Sequence, residues 1–112
     1  MYARVARFEG GDVSRIDEEI AGMKRQMDEI KSGNVPADAR SPEQVRTLMD
    51  TVTRWVELVD RTSGASVAIA FCKTEEDVRR ADAALNSMSP SDDTVKRTSA
   101  GIYEVVLDES FG

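Results

Sequence analysis

Residues 53–77 decide the fold, and they read TRWVELVDRTSGASVAIAFCKTEED. Residues 53–60 and 65–73 are rich in β-branched and aromatic side chains, which is typical of strands. The compact segment 61–64 between them predicts a hairpin. Thr74 then begins a helix, because threonine is a good N-cap and the three acidic residues after it favour the positive end of the helix dipole.

On the N-terminal side, residues 2–8 alternate in the manner of a half-buried strand. Residues 13–31 form a predicted helix that Asp12 or Ser14 can cap. Its apolar side chains recur at spacings of three and four: Ile16, Ile20, Met23, Met27 and Ile30.

A second, shorter helix is predicted before the hairpin. Ser41 is its expected N-cap, Pro42 occupies the first helical position, and Gln44 completes a capping box. We expect this helix to end near Thr51, where the periodicity changes.

After Thr74 the helix carries a stripe that faces the core, consisting of Val78, Ala81, Leu85 and Met88. Residues 89–93 form a predicted exposed loop, and residues 98–107 form the last strand. The order is therefore βαββαβ with a short helical insert. It predicts one α+β domain, residues 1–112, with a ferredoxin-like fold and a four-stranded antiparallel sheet.

Alternation divides the strand residues into two faces. We expect the bulkier, apolar set to lie against the helices: Ala3, Val5, Val56, Leu58, Val67, Ile69, Phe71, Tyr103, Val105 and Leu107. The second, mixed set comprises Tyr2, Arg4, Ala6, Trp55, Glu57, Ala68, Ala70, Cys72, Ile102 and Glu104. It is too apolar for a solvated face and too charged for an ordinary core. We therefore expect a second copy to cover it, giving a homodimeric α/β barrel with a cavity between the sheets.

Several stretches are similar to the dimeric α/β-barrel superfamily that includes the antibiotic biosynthesis monooxygenase (ABM) domains. They are residues 1–5 (MYARV), 8–10 (FEG), 58–64 (LVDRTSG) and 69–77 (IAFCKTEED). The resemblance spans nearly all of the chain except the insert around residues 35–51. It implies a dimeric barrel and chemistry such as cofactor-independent oxygenation of aromatic polyketides, haem degradation, or isomerase and decyclase reactions on small molecules. Members often carry a cavity-facing aromatic residue where this chain has Cys72, which suggests a wider cavity here.

Composition excludes several classes of function. Fifteen basic and twenty-one acidic residues give a net charge of −6, which would repel a nucleic acid backbone. The longest apolar run has only six residues, at 67–72, whereas a membrane helix needs about 20. Histidine is absent, so the usual haem ligand, the commonest general base and a Ser-His-Asp site are all missing. We expect a cytoplasmic protein without a metal or cofactor.

Candidate site residues all belong to the mixed face. Arg4 is the expected anion anchor, and Glu57 and Glu104 are the expected bases. The alternative for these three is a cross-strand ion pair that satisfies charges in a dimer interface.

The expected ligand-binding residues are Tyr2, Trp55, Ala68, Ala70 and Cys72. Trp55 can stack on a planar molecule or serve as interface core, and Cys72 can line the cavity or simply pack. The leading interpretation is a homodimer that binds a small apolar or aromatic molecule between its sheets and can act as a cofactor-independent monooxygenase. The alternative is a non-catalytic dimeric ligand-binding or accessory module.

Overall fold

The computed structural model of the chain describes residues 1–36, 39, 41–88 and 95–112. These residues form β1 (Tyr2–Glu9), α1 (Ile16–Lys31), α2 (Pro42–Thr51), β2 (Val52–Val59), β3 (Ser66–Cys72), α3 (Glu75–Asn86) and β4 (Lys96–Glu104), with a 3₁₀ turn at Val13–Arg15. The element order confirms the predicted βαββαβ arrangement with a helical insert. The loop predicted at residues 89–93 lies outside the described residues.

The four strands form one antiparallel sheet in the order β2-β3-β1-β4. The architecture is therefore α+β and is compatible with a ferredoxin-like fold. The predicted hairpin is closed by Asp60, whose N–H donates to the Ala65 carbonyl at 2.8 Å. Hydrogen bonds from the backbone N–H groups of Thr62 and Ser63 to the carboxylate lower the pKa of Asp60.

Local capping explains where the helices begin. Thr74 is the predicted N-cap of α3, and its hydroxyl accepts from the Asp77 N–H at 3.1 Å. Pro42 occupies the start of α2 as predicted, but the capping box of Ser41 and Gln44 does not form, because Ser41 makes no side-chain cap hydrogen bond. The backbone of Ser41 (φ −134°, ψ 75°) departs from the extended conformation that Thr74 adopts (φ −123°, ψ 160°), so its hydroxyl is not aimed at the free N–H groups.

α3 packs across the sheet, and the face it covers is the mixed one. Cys72 of β3 is wholly buried in one cluster with Val78 and Ala81 of α3, and Tyr2 and Ile102 pack against this cluster. The expected orientation was therefore wrong: the mixed set lies on the side that α3 covers, and the bulky apolar set faces away from α3. The strand register confirms the grouping for the residues within the strands, whereas Val105 and Leu107 lie beyond β4, which ends at Glu104 and not at the predicted residue 107.

The physical reason for this orientation is the size of the side chains beneath the helix. Ala6 and Ala70 are 0% and 1% exposed, and Ala68 and Cys72 are also buried. Short side chains on the sheet let the alanine-rich side of α3, at Ala81 and Ala84, approach closely. Small residues on both sides exclude water as completely as interdigitated large ones. Bulk alone therefore does not identify the helix-facing side.

α1 is anchored at its first turn. Ile16 is its buried residue, the other apolar positions of its predicted stripe are half-buried, and Arg61 Nη1 donates to Asp17 Oδ1 at 2.9 Å. The backbones at Gly11 and Gly64 also touch, because a Cβ on Gly11 would lie 2.5 Å from the Gly64 carbonyl oxygen. Across the described ranges, no helix combines the length and the apolar character that crossing a membrane requires.

Candidate functional site

Arg4 of β1 is held by two side chains of α3. Its Nε donates to Asp82 Oδ1 at 2.8 Å, and its Nη2 donates to Asn86 Oδ1 at 2.9 Å. Asn86 Nδ2 donates in turn to Asp82 Oδ2 at 3.2 Å, which closes a three-residue network. The Arg4 side chain is only 3% exposed. This places Arg4 in a helix-to-sheet ion pair, in contrast to the expected cross-strand partners Glu57 and Glu104.

Four of the five expected ligand-binding residues are in or beside the helix-facing core. Cys72, Ala68 and Ala70 are buried, and Tyr2 packs against the Cys72 cluster. Burial raises the pKa of the Cys72 thiol, and the negative charge of Asp77 adds to this effect. A neutral, enclosed thiol is a packing group with little reactivity.

Trp55 and Glu57 of β2 are brought together by the strand's two-residue period. Trp55 Nε1 donates to Glu57 Oε1 at 2.9 Å. Loss of water around the carboxylate raises the pKa of Glu57, and the hydrogen bond from Trp55 partly offsets the rise, although the residue as a whole is exposed. Within the expected site, this pair therefore contains a carboxylate, Glu57, whose pKa is raised.

Glu104 lies apart from this pair, exposed at the end of β4 and opposite Tyr2 in the register. Arg4 and Glu57 are two strands and two residues apart, which corresponds to roughly 12 Å between their Cα atoms. The three expected catalytic residues therefore do not converge within the chain.

The opposite side of the sheet, which we call the open face, consists of three cross-strand rows of four residues. They are Arg54, Phe71, Ala3 and Tyr103; Val56, Ile69, Val5 and Gly101; and Leu58, Val67, Arg7 and Ser99. Leu58 and Tyr103 are 51% and 61% exposed. A contiguous surface of large apolar side chains thus remains accessible on the face opposite α3.

The first of these rows, here called the aromatic row, places two aromatic rings on either side of a small residue. Phe71 and Tyr103 are both opposite Ala3, on the two strands that flank β1. A Cβ on Gly101 would lie 3.1 Å from the Tyr103 hydroxyl, so the Tyr103 ring lies over the glycine backbone. Arg54 Cζ is 5.6 Å from the Phe71 ring centroid, which is within cation–π range.

A concavity of about 340 Å³ lies at the hairpin end of the open face. Arg7, Leu58 and Val67 line it from the open face, and Thr98 of β4 contributes to its wall. A separate groove of about 510 Å³ lies between α3 and β4, where Asp82, Asn86 and Arg97 make its lining polar. We call the first of these the hairpin concavity.

Sequence reasoning missed the groups that partner Arg4 and those that form the aromatic row. Asp82 and Asn86 are four residues apart on α3, so they share a helical face, and this spacing was the signal available in the sequence. Phe71 and Tyr103 were placed in the core because of their size. No sequence feature separates a bulky residue that faces a helix from one that faces away from it.

Among the described residues, no group of three or more histidine, cysteine, aspartate or glutamate side chains is arranged to hold a metal ion. No protein-family model matches the chain, and no curated protein or solved structure shows significant similarity to it. The resemblance to the ABM domains therefore rests on the sequence stretches themselves.

Proposed function

We propose that two copies of this chain pair through their open faces, as in an ABM-like dimeric α/β barrel, and enclose a small apolar or aromatic molecule between the sheets. The observation that carries the proposal is the open face itself, with Leu58 and Tyr103 largely exposed beside Val5, Val56 and Ile69.

A face of this composition is unfavourable in water. Monomeric proteins rarely expose large contiguous apolar patches, and those that occur commonly serve as interaction surfaces. Arg54 and Arg7 are the two cations of the open face and lie in its first and last rows. A partner that covers the apolar centre can leave these cations at the rim, where they stay hydrated.

The aromatic row is the proposed ligand contact. Ala3, which is 6% exposed, lies between Phe71 and Tyr103, and the Tyr103 hydroxyl offers one hydrogen bond. Planar aromatic molecules stack on such rings, while Arg54 can attract a phenolate or carboxylate at the edge of the ligand. The proposed ligand contacts are therefore Phe71, Tyr103 and Arg54, in place of the residues that the sequence predicted.

Thermal unfolding with a panel of hydroquinones and aromatic acids tests ligand binding. A ligand that binds the folded protein raises its melting temperature, by an amount set by its concentration relative to Kd. We expect Phe71→Ala and Tyr103→Ala to abolish the rise and the matched exposed-apolar control Val13→Ala to keep it. A rise that survives both aromatic substitutions contradicts a site on this row.

A second candidate function is cofactor-independent monooxygenation, in which the protein orients a readily deprotonated phenol or hydroquinone for reaction with O₂. The observation that favours it is Glu57, a carboxylate with a raised pKa beside Trp55, so the substrate of this reaction would bind on the Trp55 side of β2 and not at the aromatic row. Oxygen uptake with the same hydroquinones tests it. Turnover above background that Glu57→Gln abolishes supports the enzyme, whereas binding without oxygen uptake supports the ligand-binding module.

A further inference from the structure

We propose that residues 105–112, here called the outer segment, cross to the second copy and dock in its hairpin concavity. This inference rests on the proposed dimer, and it adds a second set of contacts between the two copies.

The outer segment leaves the sheet immediately after β4. The Val105 N–H donates to the Met1 carbonyl at 2.9 Å, which extends the β1–β4 pairing by one residue. Beyond it, Val106, Leu107 and Phe111 are 83%, 75% and 98% exposed. Three large apolar side chains on one short extended segment are poorly accommodated in water, and they lie where a partner can cover them.

The area of the open face indicates that the dimer needs this segment. Four strands about 4.8 Å apart and three rows about 6.7 Å apart give roughly 400 Å² for each copy. Stable specific interfaces bury about 800 Å² for each partner. An aromatic side chain alone buries about 150–250 Å² when it is covered, so docking Phe111 and Leu107 supplies a large part of the difference.

The hairpin concavity matches the outer segment in size and in its apolar wall. Its volume of about 340 Å³ is sufficient for an aromatic side chain, and Leu58 and Val67 give it an apolar wall. Arg7, Glu9 and Asp60 also line this concavity, so it carries charges of both signs. The outer segment carries two acidic residues, Asp108 and Glu109, shortly before Phe111. Docking therefore depends on apolar contact, because Glu9 and Asp60 oppose the pairing of Arg7 with these two acidic residues.

The outer segment is also long enough to reach this site. Eight extended residues at about 3.3 Å each span roughly 26 Å, and the open face is roughly 20 Å along the strands. The segment starts at the end of the sheet opposite the hairpin. A partner whose strands run in the same direction has its hairpin concavity at the far end of the face, where Phe111 can reach it about 20 Å from Val105.

Inter-chain disulfide trapping tests the docking. Two variant chains, Phe111→Cys and Leu58→Cys, are mixed at equal concentration and given a mild oxidant, with one chain carrying a mass tag. Cys72 can stay in place because it is wholly buried. A disulfide forms only where the Cα atoms come within about 4.4–6.8 Å, so we expect a linked species that contains one chain of each kind. The matched control, Phe111→Cys with Val13→Cys, should give no link.

Sedimentation gives the second readout. Leu107→Ser combined with Phe111→Ser should raise the dimer Kd at least about tenfold, as loss of central interface contacts does, and Val13→Ser should leave it unchanged. A dimer that forms with normal affinity and gives no link between 111 and 58 overturns the docking while leaving the proposed dimer standing. In a chain that carries both Phe111→Cys and Leu58→Cys, a link formed only within that chain overturns it too. A chain that stays monomeric at every concentration overturns both proposals.

Discussion

The ion pair between Arg4 and Asp82 allows the most specific stability prediction, because Arg4 is buried and Asp82 is partly buried. The substitution Asp82→Ala removes the carboxylate that accepts from Arg4 Nε at 2.8 Å and leaves a guanidinium that is 3% exposed. Breaking a buried pair by removing one partner costs about 3–5 kcal/mol. Asp82 is 27% exposed and Asn86 keeps its own bond to Arg4, so we expect the lower end, about 3 kcal/mol.

This loss converts into a measurable melting shift. With an unfolding entropy of about 2.1 cal/mol/K per residue, 112 residues give about 0.24 kcal/mol/K, so 3 kcal/mol lowers the Tm by about 12 °C. Circular dichroism melts and urea titrations at one fixed protein concentration measure both quantities.

The matched control is an exposed ion pair between α3 and α2. Arg80 pairs with Asp50 at 2.9 Å, but their side chains are 46% and 66% exposed. Exposed pairs contribute about 0–1 kcal/mol, so Asp50→Ala should shift the Tm by only a few degrees. A loss below about 0.5 kcal/mol for Asp82→Ala would refute the assignment of Arg4 to a structural network, given the magnitude expected for a buried pair. In that case Arg4 would again be available as an anion anchor.

Three further predictions concern the core, the altered carboxylate and the hairpin. Ellman's reagent should not react with the Cys72 thiol in the folded protein, since it is wholly buried with a raised pKa, and labelling should follow urea unfolding; fast native labelling would contradict this. Burial raises the pKa of Glu57 above its ordinary value of 4.5, so its ionisation lowers the unfolding free energy as pH rises through the folded-state pKa. Glu57→Gln should therefore gain stability over the wild type above about pH 4.5 and show no gain at pH 3, as measured by urea titration; an equal effect at both pH values would exclude the linkage. Gly64→Ala should cost about 1–3 kcal/mol, because Gly64 has φ +80° and its Cβ would meet the Gly11 backbone; thermal melts with no change would show that the turn relaxes freely.

Much of the fold could be predicted from local sequence signals. The hairpin follows from two β-rich runs around a compact turn, and the start of α3 follows from Thr74 and its acidic first turn. Both depend on neighbouring residues, which a single sequence displays directly. The failed capping box at Ser41 shows the limit of such signals, because residue type permits a cap while the backbone conformation decides whether it forms.

The orientation of the sheet could not be predicted, because it depends on which side the helices cover. Val5 and Ile69 have the size and polarity of core residues, yet they lie on the open face, whereas Ala6 and Ala70 are buried under the helices. The hydrophobicity of a side chain indicates that burial is favourable, but it does not specify which surface buries the side chain. For the same reason, the proposed ligand contact is the aromatic row, whereas the sequence predicted a site that included Arg4 and Glu104.

The molecular mass in solution tests the central claim, that a second copy covers the open face. Sedimentation equilibrium of the wild type should give twice the chain mass of 12.3 kDa. Ile69→Lys, which puts a charge at the centre of the open face, should give the mass of a single chain with an unchanged circular dichroism spectrum. A wild type that remains a monomer at every concentration, or an Ile69→Lys variant that dimerises as tightly as the wild type, would contradict the account.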